Sequence, residues 1–396
     1  MSEWQTFCLK DLGKIVGGAT PPTNNPKNYG NKIAWITPKD LSTLQGHYIK
    51  KGSRSISRLG FKSCSCVLLP KHAILFSSRA PIGYVAIAEK RLCTNQGFKS
   101  IIPNKKIYFE FLYYLLKYHK DNISNIGGGT TFKEISGATL GLFKVKIPPT
   151  YYEQQKIART LSVLDQKIEN NHKINELLHK ILELLYEQYF VRFDFLDENN
   201  KPYQTNGGKM KFSKELNRLI PSGWSVRFLN HKIVSTYQPK TISKTLLNDS
   251  YSYSVYGGGG IIGRFTEYNH EQSEFIISCR GQCGISYLTL PKSWITGNAM
   301  VIRPTKSYTS KTYLYHTIKK YKLTNYITGS VQPQITRQNL STMPILIPKR
   351  KTLNKWNNIS SLLWNLIHNN MQSTQTLIAL RDFLLPLLLK QQVKPK

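Results

Sequence analysis

The chain has 396 residues, enough for two or three domains, and 40% of them are hydrophobic, which excludes an intrinsically disordered protein. Its 55 Lys and Arg residues outnumber its 22 Asp and Glu residues, and the formal net charge is +33. In a folded chain such a surplus favours a polyanion, usually nucleic acid, as the partner. An adhesive basic surface and a genome rich in Lys codons are the alternatives.

The sequence gives no sign of a membrane or secretory route. Met1–Leu12 lacks the apolar segment of a signal peptide, and the most apolar stretch, Phe383–Leu389, is too short to span a bilayer. The cysteines do not form a zinc framework, because Cys64-x-Cys66 and Cys279-x3-Cys283 lack further Cys or His residues at zinc-finger spacing. We therefore expect a cytoplasmic protein with free thiols and no metal site.

Residues 1–150 are predicted to form a mixed α/β module. Short β-rich runs such as Ala73–Phe76 lie between Gly, Pro and Asn turn signals. One helix is predicted at Tyr108–Tyr118, where Leu112 and Leu116 stand four residues apart and give the helix an apolar face to bury.

A long helix is predicted next, at residues 151–193. Its apolar residues recur every three or four positions, which indicates a seam for a partner helix; they are Ile157, Leu161, Leu164, Ile168, Leu178, Leu182, Leu185 and Tyr189. Asn171 and Asn175 interrupt the seam, and polar seam residues can fix the register of paired helices. About 35 helical residues extend about 50 Å, longer than one turn of B-DNA. An ordinary helical bundle would show the same spacing.

The second half of the chain has the same order of elements. Residues 194–221 have the composition of a linker, residues 222–349 are predicted to form a second α/β module, and residues 350–391 a second long helix that Pro386 ends or kinks. Gly258-x-Gly260-x-x-Gly263 formally matches a dinucleotide-binding loop. The residues after it favour a strand and a turn, so we predict a glycine-rich hairpin.

The second module repeats the first. Ile74–Gly83 and Phe275–Gly284 share an apolar triplet, then Ser-x-Arg, then a glycine four residues after the arginine. The spacing is 201 residues here, and it is larger between the equivalent Trp4 and Trp224. We attribute the larger spacing to the linker. A duplicated basic module suggests two similar surfaces that touch two stretches of one polymer, although a duplicated fold need not carry a duplicated function.

The sequence lacks the motifs of enzymes that act on nucleic acids. It has no Walker-type phosphate loop, no Asn/Asp-Pro-Pro-aromatic motif of an amino-methyltransferase, no Asp…Glu-x-Lys nuclease cluster and no His-Glu-x-x-His pair. With so few carboxylates, metal-dependent phosphodiester chemistry has little to build on. We therefore predict a binding protein without catalytic residues; a methyltransferase or nuclease with unfamiliar motifs is the enzymatic alternative.

Several motifs lie near the predicted module boundaries. They are Pro148-Pro149 followed by Glu153-Gln154-Gln155-x-Ile157-Ala158, then Pro221-x-Gly223-Trp224, Tyr256–Gly259, Trp294–Asn298 and Leu384-Leu385-Pro386. Together with the order module, helix, module, helix, this set resembles the specificity subunits of bacterial Type I restriction–modification enzymes. The second helix departs from the pattern, because Asn354–Ile359 replaces the Glu-Gln-x-x-Ile-Ala motif.

The resemblance implies a non-catalytic subunit with two target recognition domains, 1–150 and 222–349. They would be related by an approximate two-fold repeat and separated by two antiparallel, coiled-coil-like spacer helices. Each domain would read one half of a split site in double-stranded DNA. The helices would dock two modification subunits, and the candidate docking residues are Glu153, Gln154, Gln155 and Ile157.

The resemblance also implies that the cofactors belong to the partners. The modification (methyltransferase) subunits would bind S-adenosylmethionine and methylate adenine. Restriction subunits would add ATP- and Mg-dependent translocation and cleavage. We expect no cofactor in this chain and a location in the bacterial cytoplasm.

Candidate DNA contacts fall into two groups. Arg79 and Arg280 occupy equivalent places in the two modules, and repeated residues suit phosphate contact or shared structure, because the two halves should read different bases. Base contacts are expected where the halves differ, and the candidates are Lys39, Lys133, Gln332, Gln334 and Arg337. A stand-alone nucleic-acid-binding protein with a duplicated basic module is the alternative function.

Overall fold

The computed structural model describes residues 3–79, 81–128, 133–248, 251–329 and 332–395. The chain divides into two compact units: unit 1 comprises Met1–Lys173 and Asn370–Lys396, and unit 2 comprises Ile174–Asn369. Each unit therefore contains one module of the repeat and a part of each long helix. The mixed α/β class predicted from the sequence is confirmed.

Unit 1 is built on antiparallel strands. Its described strands are β1 (Gln5–Cys8), β2 (Gly13–Gly17), β3 (Tyr29–Ile36), β4 (Tyr48–Ile49), β5 (Arg54–Ile56), β6 (Ile74–Phe76), β7 (Val85–Ala88), β8 (Cys93–Thr94), β9 (Lys99–Pro103) and β10 (Lys144–Ile147). They form a five-stranded sheet in the order β2-β9-β6-β7-β4, a three-stranded sheet β5-β3-β8 and the pair β1-β10. The parallel pairs are β3 with β8 and β4 with β7.

The core of unit 1 surrounds one helix. The helices are α1 (Leu9–Leu12), α2 (Pro38–Ser42), α3 (Arg58–Lys62), α4 (Phe109–Tyr118), α5 (Lys120–Asn125) and α6 (Gly137–Leu142), with a 3-10 turn at Pro26–Asn28. Helix α4 matches the predicted helix to within one residue and packs on β6 and β7. Its six residues from Phe111 to Leu116 are all buried, so it is a core helix covered on more than one face.

The first long helix, α7 (Tyr151–Tyr186), continues as a π-helical segment over Glu187–Val191. Its first seam residues, Ile157 and Leu161, join the core of unit 1, and Leu388 of the last helix lies in the same cluster. The predicted long helix is therefore confirmed, with its end at Val191 and not at residue 193, and its apolar seam contacts both a helix and a module.

Unit 2 repeats this plan with more strands. Its described strands are β11 (Met210–Ser213), β12 (Arg218–Pro221), β13 (Ser225–Phe228), β14 (Val234–Tyr237), β15 (Tyr253–Gly257), β16 (Gly260–Phe265), β17 (Phe275–Ser278), β18 (Ser286–Leu288), β19 (Trp294–Ile295), β20 (Ala299–Pro304), β21 (Ile327–Thr328), β22 (Gln334–Ile335) and β23 (Pro344–Ile347). The main sheet has the order β14-β20-β17-β18, and a second has the order β16-β15-β19. The strands β11 and β12 form an antiparallel hairpin inside the segment predicted as a linker.

The helices of unit 2 are α8 (Lys311–Lys319), α9 (Arg337–Leu340) and the beginning of α10 (Arg350–Leu389), with 3-10 turns at Lys244–Leu246 and Leu323–Tyr326. Pro386 does not end α10, which continues to Leu389. The proline lacks one backbone donor, but its carbonyl accepts a hydrogen bond from Lys390 N at 2.9 Å, and Leu388 is buried in unit 1. Within the described residues, no helix combines the length and apolar character needed to cross a membrane.

The two long helices run antiparallel within each unit. In unit 1, Asn171 Nδ2 donates a hydrogen bond to Thr374 Oγ1 at 3.2 Å. In unit 2, Asn175 Nδ2 donates to the Ile367 carbonyl at 3.3 Å. The two asparagines that interrupt the seam of α7 therefore bind α10, as expected of polar residues that fix a register.

The strand register shows where the repeat spacing changes. Gln5 pairs with Ile147 in unit 1, and Ser225 pairs with Ile347 in unit 2, so the starts of the two modules lie farther apart in the chain than their ends. The spacing between equivalent residues decreases within the modules, because the first module has a longer segment between two equivalent strands. Between β3 and β6 the first module has α2, β4, β5 and α3, whereas between β15 and β17 the second has only β16. Attributing the larger spacing at the module starts to the linker was therefore wrong: a linker shifts both ends of the second module equally.

Candidate DNA interface

A serine closes a tight loop after an inner strand of unit 1. Ser77 N donates to the Tyr84 carbonyl at 2.9 Å, and Ser77 Oγ accepts a hydrogen bond from Tyr84 N and donates one to the Pro81 carbonyl, both at 2.8 Å. Gly83 N donates to the Ser77 carbonyl at 3.1 Å, and its φ of +101° favours glycine. The loop carries Arg79.

The same loop recurs in unit 2 with each residue 201 positions later. Ser278 N donates to the Ile285 carbonyl at 2.8 Å, Ser278 Oγ accepts from Ile285 N at 2.8 Å, and Gly284 N donates to the Ser278 carbonyl at 2.9 Å. Ser278 Oγ also donates to the Gln282 carbonyl. The repeated Ser-x-Arg…Gly motif is therefore a repeated hydrogen-bonded loop, and it carries Arg280.

Backbone hydrogen bonds attach this loop to two further segments. In unit 1, Ser78 N donates to the Gly97 carbonyl at 2.8 Å, and Ile135 N donates to the Ser78 carbonyl at 3.0 Å. In unit 2, the Cys279 carbonyl accepts from Ile335 N at 3.1 Å, and Cys279 N donates to the Asn298 carbonyl. The residue before each arginine is thus held by two backbone hydrogen bonds, one through its N–H group and one through its carbonyl group.

The electrostatic surroundings of the two arginines differ. Arg79 lies 3.6 Å from Glu134, which also lies 3.5 Å from Lys99 Nζ. Gln334 is the residue of the second module that corresponds to Glu134, and its backbone pairs with that of Arg280. In the part of the chain that the structure describes, no acidic side chain forms an ion pair with Arg280, which is exposed. Arg280 is therefore better placed than Arg79 to contact a phosphate.

Glu134 was not foreseen from the sequence. It is one of only 22 acidic residues, and it lies between the exposed Lys133 and the buried Ile135. Because acidic residues are scarce in so basic a chain, an acidic residue next to the candidate Lys133 is the signal that could have identified it. It partly neutralises Arg79, and this makes the first module differ from the second at an otherwise repeated position.

The structure brings three predicted residues of unit 1 onto neighbouring segments. Lys39 is exposed on α2, and the preceding Pro38 packs so closely on Gly97 that a Cβ there would lie 2.9 Å from Pro38 Cγ. Because Gly97 accepts the hydrogen bond of Ser78, Lys39 belongs to the same neighbourhood as Arg79 and Lys133.

In unit 2 the predicted residues separate into two places. Gln332 and Gln334 are exposed, and the backbone of Gln334, in β22, pairs with that of Arg280. Arg337 instead begins α9 and lines a hollow of about 480 Å³ together with His231 and Ser341. The structure thus groups Gln334 with Arg280 and sets Arg337 apart.

The glycine-rich segment is a hairpin, as predicted. Strand β15 pairs with β16, and Gly257 pairs with Gly260. The sequence did not reveal that Gly258 lies against the Arg280 loop, where a Cβ would be 2.6 Å from the Arg280 carbonyl oxygen. This glycine therefore allows the hairpin backbone to approach the loop.

Two of the four candidate docking residues are internal. The side chain of Gln154 is 1% exposed; its Oε1 accepts a hydrogen bond from Tyr108 N at 2.7 Å, and its Nε2 donates to the Lys106 carbonyl at 3.1 Å. Ile157 is buried in the core of unit 1. These two residues therefore attach α7 to its own module, and their assignment to partner docking stays a prediction.

The other two candidates remain accessible in part. Gln155 is exposed, and Glu153 is half-buried in the first turn of α7. Glu153 N donates to Thr150 Oγ1 at 3.2 Å, and Thr150 Oγ1 donates to Glu153 Oε2 at 3.1 Å, which caps the helix. The docking hypothesis therefore depends on Glu153 and Gln155.

An aromatic cluster packs against the first turns of the second long helix, α10, whereas the buried Gln154 attaches the first turn of α7 to its module. Trp356 is buried, and its ring lies 5.5 Å from Phe190 and 5.3 Å from His316. Burial lowers the pKa of His316 to about 3 and that of His368 to about 4.

The described His, Cys, Asp and Glu residues form no group of three or more that could hold a metal ion.

A family model matches each half of the chain. The model describes a Type I restriction modification DNA specificity domain, and it matches residues 1–180 and 221–379. Each match contains one module with its Ser-x-Arg loop and most of the long helix that follows.

Individual relatives agree with this match. The chain is 32% identical over 421 residues to the Type I restriction enzyme MjaIX specificity subunit of Methanocaldococcus jannaschii, covering 97% of this chain and 92% of the relative. It is 30% identical over 191 residues to the HindI specificity subunit of Haemophilus influenzae, covering 46% of this chain and 40% of that one. The crystal structure of an S subunit from M. genitalium superposes with a TM-score of 0.62 at 18% identity, covering 97% and 96% of the two chains. At that identity the last likeness supports the fold alone.

Proposed function

The chain belongs to the Type I restriction–modification DNA specificity family, and from that membership we propose that it selects the DNA sequence on which a modification and restriction complex acts. Its role is recognition and not catalysis. The observation that carries the proposal is the duplication: the family match occurs once for each module, and each module contains the same arginine-bearing loop.

We further propose that the two modules read two parts of one bipartite target. The shared loop suits contacts that do not depend on sequence, because Arg79 and Arg280 follow the same fixed backbone. Residues beside the loop differ between the modules, with Lys133 and Glu134 in the first and Pro333 and Gln334 in the second. Such differences support two distinct half-sites, since base edges are read by side chains that differ.

The proposed partners are double-stranded DNA, two modification subunits and the restriction subunits. S-adenosylmethionine, ATP and Mg would belong to those subunits, and the complex would act in the cytoplasm. Support for docking on this chain comes from the half-buried Glu153 and the exposed Gln155 at the start of α7. Support for a DNA partner comes from the net charge of +33.

The test is to co-express the chain with a modification subunit from the same locus and to map methylated adenines across the host DNA. We expect a new bipartite motif that disappears when this chain is omitted. Exchanging the second module for that of a relative should change one half of the motif and leave the other.

Two outcomes would contradict the proposal. A stable complex that adds no methylation would show that the modules do not select a target. Specific DNA binding by the chain without any complex would instead indicate a stand-alone binding protein.

A further inference from the structure

In unit 2, an aromatic segment covers the tryptophan at the start of the module. The chain leaves α7 and places the Phe193 and Phe195 rings 5.5 Å and 5.1 Å from the ring of Trp224. Trp224 is 1% exposed as a result. Lys355 Nζ donates to the Leu196 carbonyl at 3.4 Å, which fastens the segment to the first turns of α10.

In unit 1, the equivalent place is less well filled. Trp4 is the counterpart of Trp224 in the repeat, and Val393 and Pro395, after the second long helix, are the counterparts of Phe193 and Phe195 after the first. Two small side chains therefore replace two phenyl rings at the end of the helix. Trp4 is only half-buried.

A hollow of about 410 Å³ results, and its apolar wall includes Trp4, Ile157, Leu388, Val393 and Pro395. The equivalent hollow beside Trp224 has about 260 Å³. The first hollow is therefore the larger of the two, as expected where smaller side chains replace two phenyl rings.

The charges around the two hollows also differ. In unit 2 the aromatic segment includes Asp194 and is followed by Asp197 and Glu198, and the last two line the hollow together with Lys351 and Lys355. In unit 1, Lys394 is the counterpart of Asp194, and it lines the hollow together with Lys156 and Glu153, so the lysines of this rim outnumber its one carboxylate. A ligand that complements this rim has carboxylates beside its aromatic residues.

We propose that the hollow beside Trp4 binds a segment of a partner polypeptide that carries aromatic residues followed by acidic ones. The segment would occupy in unit 1 the place that Phe193–Glu198 occupies in unit 2. This inference does not depend on the DNA-recognition role, because it rests on packing and charge within the two units.

The test uses the full chain and a labelled synthetic peptide that copies residues 190–200. We expect saturable binding by fluorescence anisotropy. The double substitution V393F/P395F restores the missing rings and should weaken peptide binding at least tenfold, while L362F, at an exposed position of α10, should not change it. K394E should weaken binding without filling the hollow.

A second peptide with serine at the positions of Phe193 and Phe195 keeps the charge and controls for attraction to a basic protein. Equal binding of both peptides, no saturable binding, or equal binding to the V393F/P395F variant would each overturn the proposal. Light scattering provides a separate check: a dimer of the unmodified chain that V393F/P395F abolishes would identify a second copy as the occupant and also overturn it. Thermal melting confirms that each variant folds.

Discussion

Asp165 of α7 and Arg381 of α10 are 216 residues apart in the chain and form an ion pair of 2.8 Å within unit 1. Their side chains are 7% and 14% exposed. Tyr114 of α4 donates a hydrogen bond of 2.6 Å to the other carboxylate oxygen of Asp165. A single carboxylate thus connects both long helices to the core helix of the first module, and burial together with this carboxylate raises the pKa of Tyr114.

Replacing Arg381 with methionine is expected to lower the free energy of unfolding of unit 1 by about 3–5 kcal/mol, because Asp165 would be left buried without its cation. Hydrogen exchange in α4 and along both long helices during urea unfolding would measure the loss. The matched control is K319M, which breaks an exposed pair with Glu183 and should cost less than about 1 kcal/mol. Equal losses in the two variants would show that the buried pair has no special role.

The positive φ angles of Gly83 and Gly284 predict that alanine is poorly tolerated at both. G83A and G284A should each destabilise their own module by about 1–2 kcal/mol, because the left-handed backbone is strained for alanine. The added Cβ would also lie 3.2 Å from Lys120 Cβ in the first case and 3.0 Å from Leu323 Cβ in the second. G17A is the control, since no atom lies within 4 Å of its added Cβ. Chemical denaturation measures the free energy of unfolding of each variant. An equal loss in G17A and in the other two variants would refute this account.

Alanine at Gln334 and Arg337 is expected to weaken binding to the target by about 1–3 kcal/mol and to relax one half of the methylated motif. R280A should instead weaken binding to all sequences and reduce the salt dependence, as expected for a phosphate contact. K211A removes an exposed charge in β11 and controls for loss of net charge. Unchanged affinity and an unchanged motif after the double substitution would exclude both residues as base contacts.

Acidification is expected to destabilise unit 2. The pKa of His316 is about 3 when folded, below the ordinary 6.5, so the unfolded chain takes up a proton in this range and the folded chain does not. Stability should therefore fall as the pH falls from 6.5 towards 3, by about 2 kcal/mol at pH 5 for this residue. H316F should reduce the dependence and leave the part that His368 contributes with its pKa of about 4, whereas H231Q, at an exposed position, should not reduce it. Melting temperatures measured at pH 7 and pH 5 test this, and identical slopes in all three proteins would contradict it.

Much of the fold could be predicted because it follows local periodicity. The apolar spacing in α7 and the core helix α4 are properties of contiguous residues, and the structure confirms both. The fate of Pro386 could not be predicted this way, since α10 continues past it to bury Leu388 against distant residues. Composition likewise indicated a linker at 194–221, but β11 and β12 pair as a hairpin within it. Composition does not reveal such a pair, because strand pairing depends on the surrounding fold.

The candidate interface was predicted less completely than the fold. Repetition identified Arg79 and Arg280, and the structure places them in equivalent loops. The contact of Arg79 with Glu134 was invisible, because the two residues are far apart in the chain. The internal hydrogen bonds of Gln154 were invisible for a related reason, because its partners Lys106 and Tyr108 lie more than forty residues away in the chain.

The composition of the two units has a consequence for synthesis of the protein. Unit 2 is one continuous stretch, Ile174–Asn369, whereas unit 1 combines Met1–Lys173 with Asn370–Lys396. On the ribosome, the first module is translated long before Arg381 exists to neutralise Asp165. Unit 1 is therefore complete only after the last helix has been translated, whereas every residue of unit 2 precedes that segment. A nonsense mutation that removes Asn370–Lys396 should therefore destabilise the amino-terminal module, although the residues of that module are unchanged.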